Sequence, residues 1–215
     1  MAHSIALAAN KISCRRGGRL LFQDLSFKLA PGEALFVSGP NGTGKTSLLR
    51  LIAGLLPLED GTFSLEGKTG DTPLPELCHY VGHANAIKTA ASGQENLAFW
   101  HDFLDGGGMS LRNALALFGL RSLSGLPAGL LSAGQKRKLA LSRLLAAPRP
   151  IWLLDEPSVS LDAASVKVLE RLIGEHLRQG GIAAIASHTP LKVKFTRELR
   201  LGDTPDEALA RAPHP

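Results

Sequence analysis

Apolar positions recur along this chain in two rhythms. Short runs at 5–7, 21–22 and 25–29, each bounded by polar or Gly/Arg punctuation, predict strands. After the turn signal Pro31-Gly32, residues 33–38 predict a buried strand that runs into Gly39. Leu48, Leu49, Leu51, Ile52 and Leu55 then fit a mostly buried helix over 45–56, with Pro57 as its terminator. Residues 61–67 read as a short edge hairpin, and 80–82 as the end of another strand.

The rhythm then changes. Residues 95–104, 111–118 and 136–147 carry helical apolar spacing, separated by Gly106-Gly107-Gly108 and by 123–129. Beyond Pro150 it changes back: 151–154 is a continuous apolar strand, 163–177 a helix closed by Gly180-Gly181, and 182–186 another buried strand. The pattern predicts an α/β core in two parts, 1–86 and 148–202, interrupted by a helical segment at 87–147. Residues 203–215, rich in Pro and Ala and without an apolar period, are expected to form a flexible tail.

Composition fits that reading. The 215 residues are 44% hydrophobic and 20% charged, enough for a sizeable core and unlike a disordered tail. No apolar run approaches the ~18–20 residues that cross a bilayer. Residues 1–10 also lack the basic start and apolar block of a secretion signal, so a cytosolic location is expected. Cys14 and Cys78 stand far apart without a CxxC or Cys/His cluster, which predicts plain buried thiols and neither a zinc site nor a redox pair. The net charge of +5 suits an anionic ligand, but the basic residues are dispersed and aromatics are few. A nucleic-acid partner is therefore not expected.

Candidate chemistry begins at Gly39-Pro40-Asn41-Gly42-Thr43-Gly44-Lys45-Thr46, which fits GxxxxGK[ST] between a predicted strand and a predicted helix. Glycines at this spacing let backbone N–H groups curl around phosphate oxygens, and the helix end adds partial positive charge. Lys45 would reach the β- and γ-phosphates, and Thr46 would offer its hydroxyl to Mg²⁺. A buried strand tipped with carboxylates, Ile151-Trp152-Leu153-Leu154-Asp155-Glu156, supplies the complement. Asp155 would hold Mg²⁺, and Glu156 would orient or deprotonate an attacking water, which favours hydrolysis of a bound nucleotide over transfer to another acceptor. Between these motifs, Leu131-Ser132-Ala133-Gly134-Gln135 opens the basic helix 136–147, so Ser132 and Gly134 would make a second anion-binding helix end.

Together these residues resemble the nucleotide-binding domain of ATP-binding cassette (ABC) proteins over roughly 5–201. GPNGTGKT resembles the Walker A motif, LSAGQ (Ser132, Ala133, Gly134, Gln135) the signature, and IWLLDE the Walker B motif. Ser160-Leu161-Asp162 resembles the D-loop, and His188 the switch histidine. The resemblance implies an α/β P-loop NTPase of ABC type with a RecA-like core, an antiparallel β subdomain and an inserted helical subdomain. It implies Glu156 and His188 as catalytic residues, ATP and Mg²⁺ as ligands, and a homodimer in which Ser132 and Gly134 of one copy close on the ATP held by the other.

Three positions depart from the family pattern. The Q-loop glutamine aligns with His83, the adenine-stacking tyrosine is replaced by Cys14-Arg15-Arg16-Gly17, and Ala133 stands where a glycine is usual. Metal coordination through His83 is thereby open, and so is which arginine, if either, stacks on the base. The stretch Gly82-His83-Ala84-Asn85-Ala86-Ile87-Lys88-Thr89, with the short chain and LSAGQKRKLALSRL, is similar to the haem-exporter ATPases of cytochrome c biogenesis. That likeness implies a membrane-spanning, CcmB-like permease partner docking where 83–89 meets the inserted helices. It also implies other haem-handling cytochrome c maturation subunits and a peripheral position on the cytoplasmic side of the bacterial inner membrane. An ABC transporter for another solute is the nearer alternative. A non-transport ABC ATPase is the further one, since the chain has no room for long coiled coils or two fused cassettes.

Overall fold

A computed structural model describes residues 5–67 and 71–202 of the chain; the tail expected at 203–215 lies outside them. β1 (Ile5–Arg16) and β2 (Arg19–Leu29) form an antiparallel hairpin that turns at Gly17 and Gly18, both at positive φ. A third strand pairs with the other side of β1, placing Leu7 opposite Leu65. This region corrects two expectations. The three short runs belong to two long strands, and 61–67 is one strand rather than a hairpin. Register shifts near Lys11, which has a φ of 46°, interrupt the alternation that sequence pattern relies on.

The second sheet is entirely parallel. Its members in chain order are β3 (Ala34–Ser38), then, after β4 (Asp60–Gly67) of the first sheet, β5 (Cys78–Val81), β6 (Ile151–Asp155), β7 (Ile182–Ala186) and β8 (Arg197–Arg200). They lie in the order β5-β6-β7-β3-β8. Every residue of β6 and β7 is buried, which is why they read as unbroken apolar runs. β8 escapes sequence detection because it is an edge strand, Arg-Glu-Leu-Arg, with Leu199 alone buried.

Among the described residues five α-helices complete the fold: α1 (Lys45–Ile52), α2 (Gly93–Phe103), α3 (Leu111–Leu117), α4 (Ala133–Ala146) and α5 (Ala163–Arg178). α1 stops earlier than expected. Gly54 takes a φ of 68° and Leu55 N–H returns to the Arg50 carbonyl at 2.8 Å, closing the helix before Pro57. The parallel sheet separates two cores. Trp152 and Leu154 of β6 face the cluster built with α2 to α5, whereas Ile151 and Leu153 face α1 and the antiparallel sheet. Cys14 and Cys78 are both free and buried, and burial pushes the Cys78 thiol up to about 12. His79 is also buried; its Nε2–H donates to the Ala147 carbonyl, and desolvation pulls its pKa down to about 3.

Candidate nucleotide site

The C-terminal ends of β3, β6 and β7 bring the predicted motifs to one edge of the parallel sheet, where open α/β sheets place their ligands. The loop from β3 into α1 needs its glycines. Gly39, Gly42 and Gly44 have φ of 129°, 80° and 106°, and a Cβ on Gly39 would sit 2.2 Å from the Leu201 carbonyl oxygen. Lys45 is buried and donates from Nζ to the carbonyls of Gly39 at 2.7 Å and Pro40 at 2.9 Å. Thr43 Oγ1 also donates to Pro40 at 2.9 Å. The loop is thus curled around its own lysine, with α1 starting at its edge.

Opposite it, Thr46 Oγ1 donates to Asp155 Oδ2 at 2.7 Å. This hydroxyl and carboxylate are hard oxygen donors of the kind Mg²⁺ prefers. Among the described residues no group of three or more His, Cys, Asp or Glu is placed to hold a metal ion. A magnesium ion here would therefore draw its remaining ligands from phosphate oxygens and water, as it does in nucleotide sites.

Glu156 follows Asp155 in a left-handed conformation, φ 49°, which directs the two carboxylates differently. Both Glu156 oxygens accept from the backbone N–H of His188 at 3.1 Å. The His188 ring reaches back over the cleft, with Nε2–H donating to Asn41 Oδ1 at 2.9 Å and lying 3.7 Å from Glu156 Oε1. Asn41, Lys45, Thr46, Asp155, Glu156 and His188 all line one open cleft of about 590 Å³. His83, aligned by the family likeness with the Q-loop glutamine, also lines it. At the far rim stand Arg16 and Leu21 of the first hairpin. Arg16, not Arg15, is the member of the Cys14–Gly17 stretch that faces the cleft; Arg15 pairs with Glu59 at 2.9 Å.

The signature lies elsewhere. Ser132 caps α4 in a reciprocal capping box: its Oγ accepts from Gln135 N–H at 3.2 Å, and Gln135 Oε1 accepts from Ser132 N–H at 2.8 Å. Ala133 sits in the first helical turn with no positive φ, so its methyl group is tolerated there. Gly134 is required to be small, since a Cβ would come 2.5 Å from the Ser160 carbonyl oxygen. Ser132, Ala133, Gly134 and Gln135 are all absent from the lining of the cleft. Asp162 caps α5, accepting from Ser165 N–H at 2.8 Å and from Lys138 Nζ at 2.6 Å. The Lys138 ammonium and the helix end hold its carboxyl well below the usual range.

Sequence pattern missed Arg137. It lies on the helix read as basic and amphipathic, yet it is buried and bonded to the chain around Asp155, Glu156 and Gly82. A second hollow, about 550 Å³, lies where the loop after β5 meets α2 and α4. Leu55, Tyr80, Ala86, Trp100, Phe103 and Arg143 line it, and Arg143 stacks 4.7 Å over the Trp100 ring. Phe103 remains 66% exposed there. Asn96 shapes the neighbouring loop, since its side chain bonds both backbone groups of Lys88 and the carbonyls of Ala91 and Ser92.

A phosphate loop, a carboxylate-tipped central strand, a helix-capping signature and the two-sheet architecture define a P-loop ATPase of the ATP-binding-cassette class. Residues 22–159 match the ABC transporter family. The chain is 50% identical over 196 residues to the cytochrome c biogenesis ATP-binding export protein CcmA of Nitrobacter winogradskyi, covering 91% of this chain and 98% of that one. The CcmA of Chelativorans sp. is 46% identical over 199 residues, with coverage of 91% and 98%. The chain belongs to the ABC transporter family and, within it, to the CcmA proteins. Its fold is also that of a putative ABC transporter ATP-binding protein from Pyrococcus furiosus (TM-score 0.77, 21% identity, 95% of this chain and 100% of the other). A dimeric post-hydrolysis structure of the ATP-binding cassette MJ0796 bound to ADP and Pi shares it too (TM-score 0.75, 21% identity, 91% and 94%). Among the described residues no helix is long and apolar enough to cross a membrane.

Proposed function

We propose that this chain is the ATP-hydrolysing, energy-coupling subunit of a haem-export complex for cytochrome c biogenesis, working as a pair of copies against a membrane-spanning permease. The observation that carries the reading is the convergence of Lys45, Thr46, Asp155, Glu156 and His188 on one cleft. The near-full-length similarity to CcmA proteins supports the haem role.

In this reading the Lys45 ammonium exchanges the Gly39 and Pro40 carbonyls for phosphate oxygens, while N–H groups of 42–46 bind the same phosphates. Thr46 and Asp155 would hold Mg²⁺, which would offset phosphate charge when bound. Glu156 accepts a proton from the attacking water, and the His188 ring orients the γ-phosphate against it. Arg16 and Leu21 flank the base.

One copy supplies only half of this site. Ser132 and Gly134 stand at the start of α4, outside the cleft of their own chain, so each would close on the nucleotide of a second copy. Hydrolysis removes the bridging γ-phosphate and lets the copies part. The groove beside Trp100 and Phe103, apolar and edged by Gly82, Ala84 and Ala86, suits a short helix from the permease. The segment that carries His83 would then report docking to the nucleotide. Deleting the gene tests the assignment: loss of mature c-type cytochromes, restored by the wild-type chain and not by Glu156→Gln, is expected. Normal cytochrome maturation in the deletion strain would overturn the haem role.

A further inference from the structure

Arg137 sits just over one turn into α4 and is 4% exposed, whereas its neighbours Lys136 and Lys138 are only partly buried. Its guanidinium makes five contacts. Nη2 donates to the Asp155 carbonyl at 2.7 Å and the Glu156 carbonyl at 2.8 Å, and Nε donates to the Pro157 carbonyl at 3.2 Å. Nη1 donates to the Gly82 carbonyl at 2.6 Å and to Asn85 Oδ1 at 3.1 Å. Three consecutive carbonyls of the segment that bears the carboxylates are thus held by one planar fork, together with both flanks of His83.

That segment needs holding. Glu156 is a non-glycine residue at φ 49°, a conformation that costs about 1–2 kcal/mol unless its surroundings impose it. Its N–H is pinned to the Ala186 carbonyl at 2.8 Å, its carboxylate to the His188 N–H, and its own carbonyl to the Val159 N–H at 3.2 Å and to Arg137. Arg137 is the one side chain among these anchors. Burial pulls its pKa down, and the Asp155 and Glu156 carboxylates oppose that pull. A guanidinium keeps its charge through such shifts.

We infer that Arg137 is a positioning residue for hydrolysis: it fixes the left-handed turn at Glu156 so that the carboxylate faces the cleft, and locks that turn to the His83 segment and to the signature helix. It does not line the nucleotide cleft. The inference rests on Glu156 being the base. Lysine cannot replace it, because one ammonium cannot span three successive carbonyls and reach Gly82 and Asn85 as well.

Steady-state ATP hydrolysis by the full chain, with active concentration corrected for the folded fraction, tests it on Arg137→Lys and Glu156→Gln measured side by side. Arg137→Lys is expected to lower kcat about tenfold or more while KM for ATP stays within about threefold. A smaller fall, or one matched by a rise in KM, overturns the inference, since a merely structural role would move binding and folding together. If Arg137→Lys does not fold, Asn85→Ala removes one contact from the more accessible side. It is expected to lower kcat about threefold at unchanged KM, and an unchanged kcat overturns the inference. A wild-type rate in Glu156→Gln overturns the base assignment and this inference with it. An inactive Glu156→Gln beside a normal Arg137→Lys overturns the inference alone.

Discussion

Thr46 Oγ1 and Asp155 Oδ2 meet at 2.7 Å although 109 positions separate them in the chain. The parallel sheet makes the meeting possible: β6 and β3 flank β7, so the end of the Walker B strand and the start of α1 share one edge. With both oxygens assigned to Mg²⁺, Asp155→Asn should lower Mg²⁺-dependent turnover by about a hundredfold or more, because the hard carboxylate is replaced by a neutral amide. ATP binding in EDTA should change little. Hydrolysis rates titrated against Mg²⁺ check this, and an unshifted magnesium dependence would count against the pair.

Glu156→Gln preserves volume and one hydrogen-bond acceptor while removing the proton acceptor. Turnover should fall by about 10²–10⁴, the usual worth of a positioned base, with ATP still retained. Filter binding and phosphate release, measured on the same preparation, separate the two effects.

Ser132 offers two effects that can be told apart. Ser132→Ala loses the cap on α4 and should cost about 1 kcal/mol of stability, read from denaturant midpoints. Ser132→Arg should leave ATP binding to the same chain intact while blocking hydrolysis, because in the proposed dimer the serine acts on the neighbouring copy. Equal loss of ATP binding in the arginine variant would place the signature in its own chain's site.

His79 gives stability a pH dependence. Its pKa is about 3 in the folded chain against about 6.5 when unfolded, so below pH 6.5 the unfolded state binds more protons. Its contribution is complete above pH 6.5 and declines as pH falls toward 3, by about 3 kcal/mol at pH 4. His79→Gln should flatten that decline in urea midpoints between pH 7 and pH 4, at the cost of lower stability at pH 7. A decline as steep as in the wild type would exclude His79 as its source.

Much of the site could be read from spacing, because its chemistry depends on short, local patterns. The phosphate loop is contiguous, and the carboxylates follow an uninterrupted apolar strand. What could not be read depends on distance and on edges. Arg137 sits among lysines on a helix that looks solvent-facing, and only its burial shows that its fork is turned inward. β8 has two arginines and a glutamate, and its strand character comes from pairing with β3 rather than from its own residues. The register shifts between β1 and β2 hid two long strands behind three short runs. His83 was placed by likeness to relatives, and the cleft lining shows it beside the nucleotide-facing groups.

In the proposed dimer two copies build each working site, since Ser132 lies outside the cleft of its own chain. Sedimentation of the Glu156→Gln chain, with and without ATP and Mg²⁺, tests this most directly. Monomer without nucleotide and a dimer holding two ATP molecules is the predicted result. A chain that binds ATP stoichiometrically and sediments as a monomer at every concentration would contradict it.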